Sequence, residues 1–274
     1  MTAITERASG GGKSLAVAQR LGRSLMLPIA TLPAAGLLNR LGQADLLGNF
    51  HNPFMQKVAA VFLAAGGGLF AFLPLLFAVG VAVGFARKSD GSTGVAAAVG
   101  FVVFTQVVQV FAPVELDKDA VAQKKYLLDL GVAPGSWPYG VLAGILVGIV
   151  TALLWQRFYR IKLPPYLAFF GGRRFVPIIT ALVMLVLGVL LGLLFPLFDK
   201  GITAIGDALT SSTVLGAGAY GVLNRLLIPV GLHQIINSLV WTVFGTYTPN
   251  APGASPVHGD LTRFFAGDPH AGVF

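Results

Sequence analysis

"VPIITALVMLVLGVLLGLLFPLF", residues 176–198, carries no charged side chain. A bilayer core about 30 Å thick needs roughly 20 predominantly apolar residues in a helix, and this run supplies them. Four further segments meet the same test: Ser24–Gly42, whose apolar core is shortened by two prolines and Arg40, then Val58–Phe85, Thr93–Ala112 and Tyr139–Trp155. Gly218–Gly245 is apolar enough to enter a membrane but is interrupted by polar residues. The pattern predicts an all-α fold, a polytopic membrane helix bundle with five clear spans, a broken or re-entrant sixth segment and interfacial helices.

Composition points the same way. The 274 residues are 55% hydrophobic and only 11% charged, whereas a soluble domain carries about 25% charged residues. That leaves too little polar surface to cover a water-soluble globule. The absence of cysteine excludes disulfides, thiolate catalysis and cysteine-based metal sites in this chain.

The net charge of +8 has a topological reading. Taking the spans as alternating, Arg7, Lys13, Arg20, Arg23, Arg87, Lys88 and the five basic residues of 157–174 fall on one side. The other side holds Arg40, Lys57, Lys118, Lys124, Lys125 and Lys200, among seven aspartates and glutamates. Basic loops stay cytoplasmic, so the N-terminus and the 157–174 loop are expected in the cytoplasm. The basic residues form no patch alternating with aromatics, which argues against a nucleic-acid partner.

Residues 1–15 read as a disordered polar tail rather than a signal peptide, since the first apolar run follows late and lacks a small-residue cleavage site. In "DKGITAIGDALTSSTVLGAG" (199–218), Ile202, Ile205, Ala208 and Leu209 recur at helical spacing. This suits a short helix lying at the interface, or else a solvated connector; the acidic stretch Glu115–Asp129 has the same two readings. "GVAAAVG" (94–100) and "GILVGIV" (144–150) place small residues where helices can approach closely.

"LLIPVGLHQIINS", residues 226–238, sets polar groups beside a helix breaker. Pro229 removes a backbone donor and Gly231 loosens the chain, so a kink near 229–231 is expected. Irregular backbone at membrane depth survives only inside protein or along a wet cavity. Beyond the break, His233 and Asn237 share one helical face with Trp241, and Gln234 and Ser238 form a neighbouring row. Imidazole, amide and indole on one face suit a sugar, whose hydroxyls take paired donors and acceptors while its ring stacks on an aromatic. The same groups also serve as helix–helix glue, and spacing alone leaves both readings open.

The last segment changes character. "PNAPGASP" is turn-forming, and "HGDLTRFFAGDPH" gathers His258, Asp260, Arg263, Asp268 and His270 around two phenylalanines. Its spacings match no metal-ligand pattern. A ligand-facing or gating loop, with Arg263 paired to Asp260 or Asp268, competes with an ordinary polar turn.

"SLMLPIATLPAAGLLNRLG" (24–42), "NRLLIPVGLHQIINSLVW" (224–241) and "HGDLTRFFAGDPHAG" (258–272) together closely resemble the membrane (IIC) component of the sugar phosphotransferase system, glucose superfamily. The resemblance covers the chain after its tail. Gln234, where the glucose branch has a second histidine, makes it most similar to the N-acetylglucosamine-specific branch. The resemblance implies group translocation across the bacterial cytoplasmic membrane: the sugar crosses while its 6-hydroxyl takes a phosphoryl group from the phosphocysteine of a IIB partner. No other cofactor is implied. It further implies a homodimer formed through the N-terminal half, here 16–200, and a substrate-binding half beginning at 201–274. By the same resemblance His233 lies near the sugar and takes part in catalysis. Gln234, Asn237, His258, Asp260, Arg263 and Asp268 become its neighbours in the substrate site.

The carboxylate that the family uses in catalysis is a glutamate further downstream than Phe274. The chain's own glutamates, Glu6 and Glu115, lie in the tail and in an external loop. The expectation is therefore a piece of a longer IIC chain, or a degenerate protein unable to phosphorylate sugar alone. Two other functions remain on the page: a secondary sugar transporter without phosphoryl coupling, and a non-transporting membrane sensor or scaffold. Coupled transport calls for carboxylates within the spans, and the five clear spans have none.

Overall fold

The computed structural model describes residues 10–43, 45–87, 89–111, 139–211, 213–228, 233–242, 244–249 and 257–272. They form helices α1 (Gly10–Ile29), α2 (Leu32–Leu41), α3 (Pro53–Ala71), α4 (Leu73–Phe85), α5 (Gly91–Phe111), α6 (Gly140–Phe158), α7 (Phe175–Ser211), α8 (Thr213–Leu227), α9 (His233–Thr242) and α10 (Asp260–Phe265), with two short strands, β1 (Thr246–Tyr247) and β2 (Val257–His258). Five helical stretches are long and apolar enough to cross a membrane: Ala16–Leu41, Pro53–Ala71, Gly91–Phe111, Gly140–Phe158 and Gly172–Phe198. The chain is an all-α, multi-pass membrane helix bundle.

Several boundaries differ from the sequence reading. Helix α1 begins at Gly10, inside the stretch read as tail. The apolar run 58–85 is two helices, parted at Phe72, with Pro74 in the first turn of α4. Proline has no N–H to give to the preceding turn but fits a helix start. At 13 residues α4 is about 20 Å long, too short to cross the core alone. The first span is likewise parted at Ala30–Thr31, with Pro33 in the first turn of α2. The interfacial helix read over 202–209 is instead the continuation of α7, which runs 37 residues without interruption. The acidic stretch 115–129 and the expected break at 229–231 lie outside the described residues; α8 stops at Leu227 and α9 starts at His233 on either side of that break.

Two compact units divide the chain, Met26–Phe198 and Met1–Leu25 with Asp199–Phe274. In the Met26–Phe198 unit the core is built from Ala78, Phe101, Phe104, Val108, Ala143, Val147 and Met184, all buried. Helices α4 and α6 come closest. A Cβ on Gly144 would lie 2.1 Å from the carbonyl oxygen of Pro74, and one on Gly148 2.8 Å from that of Ala78. Only glycine permits that approach, so the spacing seen in "GILVGIV" is a packing seam. Leu182, Leu185, Val186, Leu190, Leu193 and Leu197 of α7 are exposed, as befits a surface whose solvent is lipid rather than water.

Caps fix the helix starts. Asn52 accepts the Phe54 N–H through its side chain (2.9 Å) at the head of α3. Before α5, Asp90 accepts the Ser92 N–H (3.0 Å), and the Asp90 N–H donates to Thr93 Oγ1 (3.3 Å). This reciprocal arrangement satisfies donors that a helix N-terminus leaves open. The Ser92 hydroxyl, aided by its backbone N–H and by nearby Arg173, holds the Asp90 carboxyl below its ordinary value despite partial desolvation.

Candidate functional site

In the unit that includes Asp199–Phe274, the decisive contact is between α8 and α9. Tyr220 Oη donates to Asn237 Oδ1 at 2.8 Å across 17 residues of sequence. Along one continuous helix that separation would be about 25 Å, so α8 and α9 are packed side by side rather than end to end. Asn224 lies one turn further along α8 than Tyr220, and His233 one turn before Asn237 on α9. Asn237 is buried, His233 and Trp241 are half-buried, and the His233 Nδ1 itself lies inside. The Asn224 Oδ1 is buried and has no hydrogen-bond partner among the described residues.

Sequence spacing thus placed His233 and Asn237 on one face but missed the opposing row. Tyr220 and Asn224 are four residues apart in "GAYGVLNRLL", which is itself a shared helical face. That signal was available. Their partners on α9 were not, because nothing local fixes how two helices pack. Gln234 is the second residue of α9, in the row beside His233.

The 257–272 segment is held by its own charged groups. Strand β2 pairs antiparallel with β1, with His258 opposite Thr246 and Val257 opposite Tyr247. Helix α10 follows directly and packs against α9. Of the two partners that the sequence left open for Arg263, the structure shows Asp268: Nε donates to Oδ2 at 2.7 Å and Nη2 lies 2.6 Å from the same oxygen. The other Asp268 oxygen accepts the His270 N–H at 2.8 Å. Asp260 accepts the Gly272 N–H at 2.9 Å, closing a loop of 12 residues.

Both carboxylates are buried and consumed in shaping the loop. Burial raises the Asp268 carboxyl, but the His270 N–H and the Arg263 guanidinium outweigh it and hold the group below its ordinary value. Gly245 sits against this pair: at φ +81° its absent Cβ would meet Arg263 Nη1 at 2.3 Å. Glycine there serves both the left-handed backbone and the passage of the guanidinium. The loop is therefore a clasp of internally paired groups, and it holds α10 against α9.

The fold is that of a polytopic membrane protein, with a polar helical face at the contact of α8 and α9. The family model described as Phosphotransferase system, EIIC, matches residues 22–273. The chain belongs to that family. It is 49% identical over 256 residues to the PTS system N-acetylglucosamine-specific EIIC component of Streptomyces coelicolor, covering 93% of this chain and 59% of that protein. It is 42% identical over 256 residues to the N-acetylglucosamine-specific EIICBA component of Escherichia coli, covering 93% of this chain and 34% of the relative. To the glucosamine-specific EIICBA component of Bacillus subtilis it is 42% identical over 262 residues, covering 96% of this chain and 38% of the relative. The chain thus spans between about a third and three-fifths of the length of these curated relatives.

Proposed function

We propose that the chain forms part of the membrane subunit of a phosphotransferase system that carries N-acetylglucosamine across the cytoplasmic membrane while phosphorylating it. The observation that carries this reading is the partly buried α8–α9 contact, Tyr220 to Asn237, which fixes the Asn237 amide on the helical face it shares with His233. The N-acetylglucosamine-specific name of the Streptomyces relative supports the choice of sugar, as does Gln234 in place of a second histidine. The alternation of basic loops supports a cytoplasmic N-terminus. Dimerisation through the N-terminal half belongs to the same reading and rests on family resemblance.

The chemistry asked of the site is limited. The 6-hydroxyl oxygen attacks phosphorus of the phosphocysteine on the IIB partner; the P–O bond forms, the P–S bond breaks and the thiolate leaves on IIB. The hydroxyl proton must pass to an acceptor. A hydroxyl is a poor nucleophile until a positioned group orients it and takes that proton. His233 is assigned to orient the sugar and assist that transfer. The fused EIICBA organisation named for the E. coli relative supports a IIB partner.

The test is to supply membranes holding the protein with phosphorylated IIB and labelled N-acetylglucosamine. The expected product is labelled N-acetylglucosamine 6-phosphate, formed only with the donor. Accumulation of unmodified sugar without donor would instead establish secondary transport.

A further inference from the structure

Between α6 and α7 the chain forms a folded loop that nothing in the transport reading uses. Pro165–Phe170 and Gly172–Arg174 are two short 3-10 turns. The Gly172 N–H donates to the Ile161 carbonyl at 2.9 Å and ties the base of the loop. Every residue from 164 to 170 is exposed. Tyr166 is 83% exposed and Phe169 69%, with Leu167 and Phe170 exposed beside them. A soluble surface avoids contiguous apolar projections of this kind, and a held loop cannot hide them by collapsing.

The rim of the loop is basic: Arg157, Arg160, Lys162, Arg173 and Arg174, with no acidic residue between 156 and 175. Two of these cations are stacked on aromatic rings, Arg160 over Tyr159 at 5.0 Å and Arg174 over Phe169 at 4.7 Å. Arg173 is anchored on Asp90 at the head of α5. Trp155 and Tyr159 stack at 5.6 Å where α6 ends.

We propose that residues 157–174 form an interfacial anchor that binds anionic phospholipid, with Tyr166, Leu167, Phe169 and Phe170 inserted among the acyl chains and the basic rim on the headgroup phosphates. Two observations choose lipid over a soluble protein. The loop begins and ends on helices that cross the membrane, so it emerges at the bilayer surface without any need to reach for it. Its aromatic tip and basic rim, of which Arg173 alone is paired with an acid among the described residues, Asp90, are the pair of features that interfacial elements use, aromatics at headgroup level and basic residues drawn to anionic lipid. Guanidinium stacked on Phe169 can stay with the ring while its outer N–H groups face phosphate.

The chain has no cysteine, so Tyr166→Cys and, separately, Phe169→Cys give single spin-label sites at exposed positions. The protein is reconstituted in vesicles of phosphatidylcholine and in vesicles of equal phosphatidylcholine and phosphatidylglycerol. Accessibility to oxygen and to a water-soluble nickel complex is then read. The expected result is a label reached by oxygen in preference to nickel, with a further shift toward oxygen in the anionic vesicles. Arg160→Gln with Lys162→Gln should abolish that further shift. Labels reached freely by nickel in both vesicles would overturn the proposal, marking a solvated loop or a face kept for the phosphocarrier partner. Labels shielded from both reagents would overturn it too, marking a surface covered by a second copy.

Discussion

Tyr220 and Asn237, 17 residues apart in sequence, meet through a 2.8 Å hydrogen bond that joins the polar faces of two short helices. The bond orients the Asn237 amide: with its oxygen accepting from the tyrosine, its N–H groups are directed elsewhere. The polar face on α9 is therefore preorganised, and preorganisation is what lets a few polar groups in an apolar setting discriminate a substrate.

Tyr220→Phe keeps the ring and removes the donor. A hydrogen bond of this kind contributes about 1 kcal/mol net, so the apparent affinity for N-acetylglucosamine should fall by roughly 5-fold to 10-fold. Turnover should change less than affinity. Asn224→Ala should act in the same direction, and steady-state phosphorylation against sugar concentration reads both. Unchanged affinity in the two variants would return α8 to a packing role.

Gly148→Leu should break the α4–α6 seam, because its side chain enters the space of the Ala78 carbonyl and Val81. Overpacking of this kind costs about 1–3 kcal/mol, seen as a lower melting temperature in detergent and reduced yield. Gly67→Ala is the matched control, since a Cβ there meets nothing within 4 Å, and alanine favours a helix by about 1 kcal/mol. A tolerant Gly148 would mean that the seam is looser than its distances.

The cap at Asp90 gives a prediction in pH. Its carboxyl is held below the ordinary value, first by the Ser92 hydroxyl. The folded group thus binds its proton less readily than the unfolded one, whose reference is about 3.9. Its stabilising effect is complete above that value and is lost as pH falls through the lower folded value. Melting temperatures of the parent and of Asp90→Asn should differ at neutral pH and converge in acid. A difference independent of pH would remove the carboxylate from the explanation.

The clasp of the 257–272 loop is tested by Arg263→Ala, which leaves the Asp268 carboxylate buried without its guanidinium. Limited proteolysis of the detergent-solubilised protein should then cut within 257–272 faster than in the parent, at unchanged cleavage elsewhere. Gly245→Ala should do the same from the other side, since its methyl meets the guanidinium. Equal cleavage in all three proteins would show that the loop is held by something other than this pair.

The spans were legible in sequence because lipid demands long apolar helices, and five of those read from hydropathy return as membrane-length helical stretches. The breaks inside them were less legible. Proline at 74 looks the same in a kinked helix and at the start of a new one, and only packing shows that α4 belongs with α6. The continuation of α7 to Ser211 was hidden by Asp199 and Lys200, which read as an end of the apolar run but do not end a helix. At the site, i and i+4 spacing exposed the α9 face, whereas Tyr220 became visible only once the packing of α8 on α9 was known. Arg263 had two aspartates within reach in sequence, and the turn at Ala266–Gly267 selects Asp268.

The most direct measurement is phosphorylation of N-acetylglucosamine by the reconstituted protein and phosphorylated IIB, comparing the parent with His233→Ala. A positioned acid–base group contributes about 100-fold or more to such a step, so the variant should lose turnover on that scale while remaining folded and membrane-inserted. Unchanged turnover and unchanged apparent affinity in His233→Ala would contradict the account and leave the α9 face as helix–helix glue.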